Sequence, residues 1–263
     1  MILLGHYDLG WHLAAGDLIR HDAHIPSQDP WSFTSGGAQW FNLSWSWDVI
    51  ASVLFQYIGF SGLILLAVAC GAVIVGYLTS VCLWSGASAI AVSISVLSAC
   101  LLYPVFAAYP NIYLAASPNI ATMLFGTIFY GECLKRTRRV FLLPAIMVAW
   151  ANLHGGFLLG LLIVGIFCGT ALLRRDSANF KIYSFVGCGC FIATFINPLG
   201  WHICEGLTTV LGHFSQAYIT EWWSYFRNIT LPGSIPGIIY ILIFIAFELR
   251  YRGIYPMEAR LLS

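Results

Sequence analysis

The sequence predicts an all-α fold: a polytopic transmembrane helix bundle carrying a small mixed external cap. Of its 263 residues, 59% are hydrophobic and 9% charged. The mean hydropathy is +0.82, more apolar surface than one water-soluble core can hide. Apolar stretches recur near 61–83, 87–107, 118–134, 140–152, 156–173, 182–197 and 235–250. Each reads as a membrane helix, several of them short of the roughly 20 residues a full crossing takes. Basic residues collect between these stretches in three clusters: Lys135, Arg136, Arg138 and Arg139; Arg174, Arg175 and Lys181; Arg250, Arg252 and Arg260.

The elements follow in order. Residues 1–60 form the cap, in which 11–21 has helical character. Ile25-Pro26-Ser27-Gln28-Asp29-Pro30 is extended, and Ser35-Gly36-Gly37 suits a hairpin turn. Its tryptophans Trp31, Trp40, Trp45 and Trp47 suit a surface at lipid headgroups. Residues 61–263 make the bundle of about seven helices, with 198–234 as an external segment. The run 140–173 is too long for one helix, and Asn152-Leu153-His154-Gly155-Gly156 supplies a polar break, so a tight helical hairpin is expected there. Residues 1–4 are too short to span or to act as a signal peptide, and the expectation is a chain lacking terminal helices.

Cytoplasmic ends carry the lysine and arginine excess. Alternation from the three clusters places 1–60, 108–117, 152–156 and 198–234 together on the opposite side, against which only Arg20 and Arg227 run. All seven histidines fall on that side. So do Asp8, Asp17, Asp22, Asp29, Asp48, Glu205 and Glu221. The net charge of +1 gives no basic field for nucleic acid. The eight cysteines lack metal or disulfide spacing and read as small hydrophobes, Cys188 and Cys190 on different helix faces.

Chemistry gathers first at His6-Tyr7-Asp8-Leu9-Gly10-Trp11-His12. A carboxylate between two imidazoles beside a helix suits a general base, or a metal set of His6, Asp8 and His12 for a divalent cation such as magnesium or manganese. Asp8 is equally placed to be a helix N-cap. Asn152 and His154 sit at the break, as ligand contacts or as polar groups capping two short helices. Asn197-Pro198 ends a helix, and Gly200 lets the chain turn. Glu221 beside Trp222 and Trp223 fits either a sugar contact or an interfacial anchor. His21 and His24 have a metal-compatible spacing that solvated histidines also show. Asn42-Leu43-Ser44 and Asn228-Ile229-Thr230 match glycosylation sequons.

The first of these stretches, with Ile25-Pro26-x-x-Asp29-Pro30-x-Ser32, resembles the first external loop of bacterial polytopic proteins in the GT-C glycosyltransferase superfamily, whose pattern is Asp-Pro-Asp-x-Trp-Trp-His-x-Ala-x-Gly. Trp150-x-Asn152-Leu153-His154-Gly155-Gly156-Phe157, Asn197-Pro198-Leu199-Gly200 and Glu221-Trp222 follow in the family's order. The resemblance implies an enzyme of the inner membrane that moves a sugar from a polyprenyl-phosphate donor to a glycan or protein acceptor on the non-cytoplasmic face. It gives Asp8 the role of catalytic base. Substrate contacts then fall to His12, Arg20, Asp29, Asn152, His154, Glu221 and Arg227, with leaving-phosphate help from Arg20, Asn152, His154, Arg227 or a divalent cation. His6-Tyr7 stands where the pattern has Asp-Pro, and Ser117-Pro118 where similar sequences often have Arg-Pro, which takes away a phosphate contact. Two other readings fit a bundle of this kind: a transporter, with ionisable residues in its spans, and a noncatalytic or truncated assembly protein. Partners are membrane lipid and the lipid-linked donor, not nucleic acid.

Overall fold

The computed structural model describes residues 8–97 and 116–212. Among them the regular elements are all helical: α1 (Leu9–Asp22), α2 (Trp45–Ile58), α3 (Phe60–Trp84), α4 (Asn119–Lys135), α5 (Leu143–Leu153), α6 (Leu158–Leu173), α7 (Ser177–Ala193) and α8 (Ile203–Gly212), with short 3-10 turns before α5, α6 and α8. Residues 89–97 are also helical. The second half of the 87–107 stretch, the stretch 235–250 and the third basic cluster lie outside the described residues. Two helical stretches, Phe60–Trp84 and Gly155–Leu173, are long and apolar enough to cross a membrane.

Helix ends follow from local chemistry. Gly59, at φ 68°, closes α2 by donating its N–H to Phe55 and starts α3 at once. Pro144 sits in the first turn of α5, where its missing N–H removes no helical bond. His154 is extended, φ −163° and ψ 140°, and so stops α5. Asp176 caps α7 by accepting from Asn179 N at 3.1 Å. The same Asn179 side chain and backbone bonds hold the Asp176 carboxyl below its usual range.

The expected break at 152–156 is present, but α5 and α6 do not form a tight pair. Past the turn, α6 packs on α7 and α4, and α5 packs on α7. The contact between α5 and α6 is through side chains: Gly160 of α6 lies against Trp150 and Met147, where an added Cβ would come within 2.7 Å of the indole. Trp150, Phe129, Phe157 and Phe167 form the centre of the larger core, shared by α4 to α7. A second core joins α1, α2, α3 and the start of α4 through Leu9, Trp47, Ala51, Leu63, Ala67 and Ile120.

The cap is an α1/α2 pair with an irregular return loop. Its β character amounts to a single antiparallel bridge, Gln28 with Gln39, around the expected turn at Gly37 (φ 81°). The tryptophans divide: Trp31 is 46% exposed, whereas Trp47 is buried in the second core and Trp45 donates its indole N–H inward to Asn152 at 2.9 Å. Those two are packing residues and not part of a headgroup-facing belt.

The helices sort the polar residues into two ends. At one, Arg136 meets Asp176 at 3.9 Å, Tyr183 donates to the Cys133 carbonyl at 2.8 Å, and Tyr77 and Thr137 each donate to the buried Glu132 carboxylate at 2.6 Å. This gathers the first two basic clusters. At the other, Trp45, Asn152 and the Ile196 carbonyl are joined, Gly155 lies on Leu43 and Leu207, and Gly206 lies on Phe41. The cap, the start of α4, the 152–156 break and α8 therefore meet at a single end. The seven described cysteines are free, with Cys188 exposed and Cys190 buried.

Candidate functional site

At the cap end a cavity of about 960 Å³ opens between the cap, α4, the break and α8. Asp8, Trp11 and His12 line it from the start of α1, Gln39 to Ser44 from the return loop, Asn119, Thr122 and Met123 from α4, His154 to Gly156 with Leu158 and Leu159 from the break and α6, and Leu207, Thr209, Val210 and Leu211 from α8. Its lining among the described residues holds no lysine or arginine. The lining mixes polar groups with apolar ones, among them Met123, Leu158 and Leu159, which are 36–41% exposed.

His12 is 3% exposed, and its Nδ1 lies 2.5 Å from Asp48 Oδ1. A carboxylate only accepts, so the ring N–H donates from Nδ1 and Nε2 is the edge left for the cavity. Asp48 is fully buried, and its second oxygen accepts from Asn42 Nδ2 at 2.7 Å. Asn42 is fixed in turn, because its Oδ1 accepts from Ser44 N at 3.0 Å. A carboxylate removed from water costs several kcal/mol unless paired, and these two donors supply that pairing.

The other imidazole has the opposite environment. His154 Nδ1 accepts from Gly156 N at 3.1 Å, so the Thr122 hydroxyl, 2.7 Å away, donates to it as well. Thr122 accepts from Trp150 Nε1 at 3.1 Å. The proton of His154 therefore sits on Nε2. Burial, helped by repulsion from His12, brings the His154 pKa down to about 4, which keeps the ring neutral near pH 7.

The remaining sequence-derived candidates are placed as follows. Asp8 immediately precedes α1 with no side-chain capping bond, and it lines the cavity. Arg20 is turned away, donating to Ser52 Oγ at 3.0 Å and to Gln56. Asn152 is committed to Trp45 and to the carbonyls of Val148 and Ile196, which ties α2, α5 and the end of α7 together and withdraws it from ligand contact. Asp29 lies in the exposed hairpin, accepting from Trp31 N and Ser32 N; bonds from Ser32 and Trp31 hold its carboxyl below the usual range. His6, Glu221 and Arg227 lie outside the described residues. Asp48, Asn42, Asn119 and Thr122 are site residues that sequence reasoning missed. Asp48 alone carried a signal, as a carboxylate among tryptophans at a helix start.

An imidazole backed by a carboxylate is also common at metal centres. Among the described residues, however, no three histidine, cysteine or acidic side chains come together. His6, the third member of the set with Asp8 and His12, lies outside the described residues.

No protein-family profile, no curated protein and no solved structure matches this chain.

Proposed function

We propose that this chain is a multi-pass membrane glycosyltransferase of GT-C type. It sits in a bacterial inner membrane with its basic ends cytoplasmic, and transfers a sugar from a polyprenyl-phosphate donor on the opposite face. The observation that carries the reading is the mixed lining of the cavity, in which Asp8, His12 and His154 stand with apolar side chains such as Met123, Leu158 and Leu159. That mixture fits a donor whose phosphosugar is polar and whose chain is hydrocarbon. Membrane placement draws on the two long apolar helices and on outward-facing side chains such as Leu65, Leu162, Phe185 and Ile192, each 57–70% exposed, which lipid solvates better than water.

In this mechanism Asp8 takes the proton of the acceptor hydroxyl as its oxygen attacks the anomeric carbon. The bond from that carbon to the phosphate oxygen breaks, and its electron pair leaves with the polyprenyl phosphate. His154 offers a neutral Nε2–H to the sugar or phosphate, held in place by Thr122 and Gly156. A transport reading finds less support: the described acid buried within the bundle, Glu132, is tied up by Tyr77 and Thr137 at the basic end.

The test is sugar transfer in proteoliposomes supplied with polyprenyl-phosphate sugars. Asp8→Asn is expected to lower transfer by at least a hundredfold, the usual weight of a general base, while inserting and eluting as wild type. Unchanged transfer in Asp8→Asn removes Asp8 from the mechanism, and no transfer by wild type with any such donor removes the transferase reading.

A further inference from the structure

The seam between α5 and α7 is built in tiers, and toward the basic end it joins exposed aromatic rings to exposed cations. Gly189 of α7 lies on Pro144 of α5, where an added Cβ would be 3.0 Å from the proline ring. One turn nearer the basic end the two segments meet again through Phe141 and Phe185, whose ring centroids are 6.1 Å apart at 63°. The next tier in the same direction is Arg138 and Lys181. Local geometry sets this order. Residues 138–142 form a 3-10 turn, in which side chains three apart stand over one another, so Arg138, Phe141 and Pro144 fall in one column. On α7 residues four apart share a face, so Lys181, Phe185 and Gly189 make the second column. A rise of about 2.0 Å per residue in a 3-10 turn and about 1.5 Å in an α-helix makes both steps about 6 Å, which keeps the columns level. Both run from the Arg136–Asp176 end toward the Asn152–Ile196 end, so each cation lies outside its ring.

The two tiers need different surroundings. Phe141 is 48% and Phe185 70% exposed, an aromatic pair that lipid solvates better than water. Arg138 and Lys181 are exposed as well, and two cations on one tier repel each other. One ligand with hydrocarbon at one end and negative charge at the other satisfies both tiers. Resting on the membrane placement proposed above but not on the transferase chemistry, we infer that the α5/α7 seam binds an anionic phospholipid, its phosphodiester between Arg138 and Lys181 and its acyl chains over Phe141 and Phe185. Charge selects the headgroup. A phosphatidylglycerol brings a net negative charge to the two cations, with charge-assisted hydrogen bonds from the guanidinium and ammonium. The ammonium of a phosphatidylcholine is repelled by the same pair.

Lipid retention tests this without any turnover. The full chain in dodecyl maltoside is titrated with dioleoyl phosphatidylglycerol and, in a separate arm, with dioleoyl phosphatidylcholine. The lipid mole fraction at half-occupancy of the one-to-one complex is read by native mass spectrometry. Wild type is expected to prefer phosphatidylglycerol. One basic side chain near an anionic headgroup is worth about fivefold in binding. Arg138→Gln with Lys181→Gln is therefore expected to raise the half-occupancy fraction for phosphatidylglycerol about thirtyfold and to leave that for phosphatidylcholine nearly unchanged. Arg174→Gln with Arg175→Gln removes the same charge from the same end of the molecule and is expected to keep the preference. Phe185→Ala is expected to weaken both lipids alike. A preference that survives Arg138→Gln with Lys181→Gln, or that Arg174→Gln with Arg175→Gln abolishes equally, overturns the site. Inorganic phosphate that displaces phosphatidylglycerol at equal concentration overturns the lipid assignment in favour of a free anion. Preference for phosphatidylglycerol in a chain that transfers no sugar from any donor upholds the lipid site and sinks the transferase reading alone. A chain that stays monodisperse without detergent and retains neither phospholipid sinks the membrane placement and this site with it.

Discussion

A neutral histidine in a cavity wall makes stability depend on pH in a defined direction. His154 has a folded-state pKa of about 4 against about 6.5 in an unfolded chain. Between those values the unfolded state binds more protons, so stability is complete above pH 6.5 and declines as pH falls toward 4. His154→Asn keeps an acceptor for Thr122 and Gly156 but does not titrate. The Tm difference between wild type and this variant is therefore expected to change steadily from pH 6.5 to 4 and to be constant above it; a constant difference throughout would show that His154 titrates normally. At this scale the sequence disclosed Asp8, His12 and His154, because each lies in a local run dense in polar groups. It did not disclose that Asp48 is the partner of His12, since that contact joins residues 36 positions apart and exists only after two helices pack. It also overvalued Asn152 and Arg20: a polar side chain at a helix break or on a loop looks the same in sequence whether it meets a ligand or another helix.

The α1/α2 pair shows what places those residues. His12 meets Asp48, Gly16 meets Asp48 and Ser52, and Arg20 meets Ser52 and Gln56, so both positions advance together and the two helices run parallel. A parallel pair needs a long return, which the hairpin-bearing loop between them provides. Close approach depends on Gly16, where a Cβ would sit 1.9 Å from the Asp48 carbonyl oxygen and 2.7 Å from Ser52 Cβ. Gly16→Ala gains about 1 kcal/mol in helix propensity. Against that stand about 1–3 kcal/mol of overpacking and about 1.5–3 kcal/mol for a strained charged hydrogen bond, so the variant is expected to unfold at lower temperature. Gly10→Ala is the control: it lies on the same helix with nothing within 4 Å of its Cβ and is expected to match or exceed wild-type stability in the same thermal melt. Helix existence was legible from apolar runs and breaks, while the parallel register was not, because a small residue in a helix carries no record of what it touches.

At the scale of the molecule, charged and polar groups gather at two ends. The described members of the first two basic clusters lie together, bridged by Arg136 and Asp176, and the cavity with its three titratable side chains lies at the other end. That separation was readable in advance because charge and span order restrict the folded arrangement to a few alternations. Which end faces the cytoplasm follows from the positive-inside bias and is directly measurable. Ser35, on the exposed hairpin, and Arg138, exposed after α4, are suitable positions for single cysteines once the native ones are replaced. Ser35→Cys is expected to react with a membrane-impermeant maleimide on intact cells freed of their outer membrane, and Arg138→Cys only after the membrane is permeabilised. If both label from the same side, the chain does not span as proposed. If Arg138→Cys alone labels from outside, the cavity faces the cytoplasm, where a nucleotide sugar rather than a lipid-linked one is the available donor, and transfer from a polyprenyl-phosphate donor on the opposite face is ruled out.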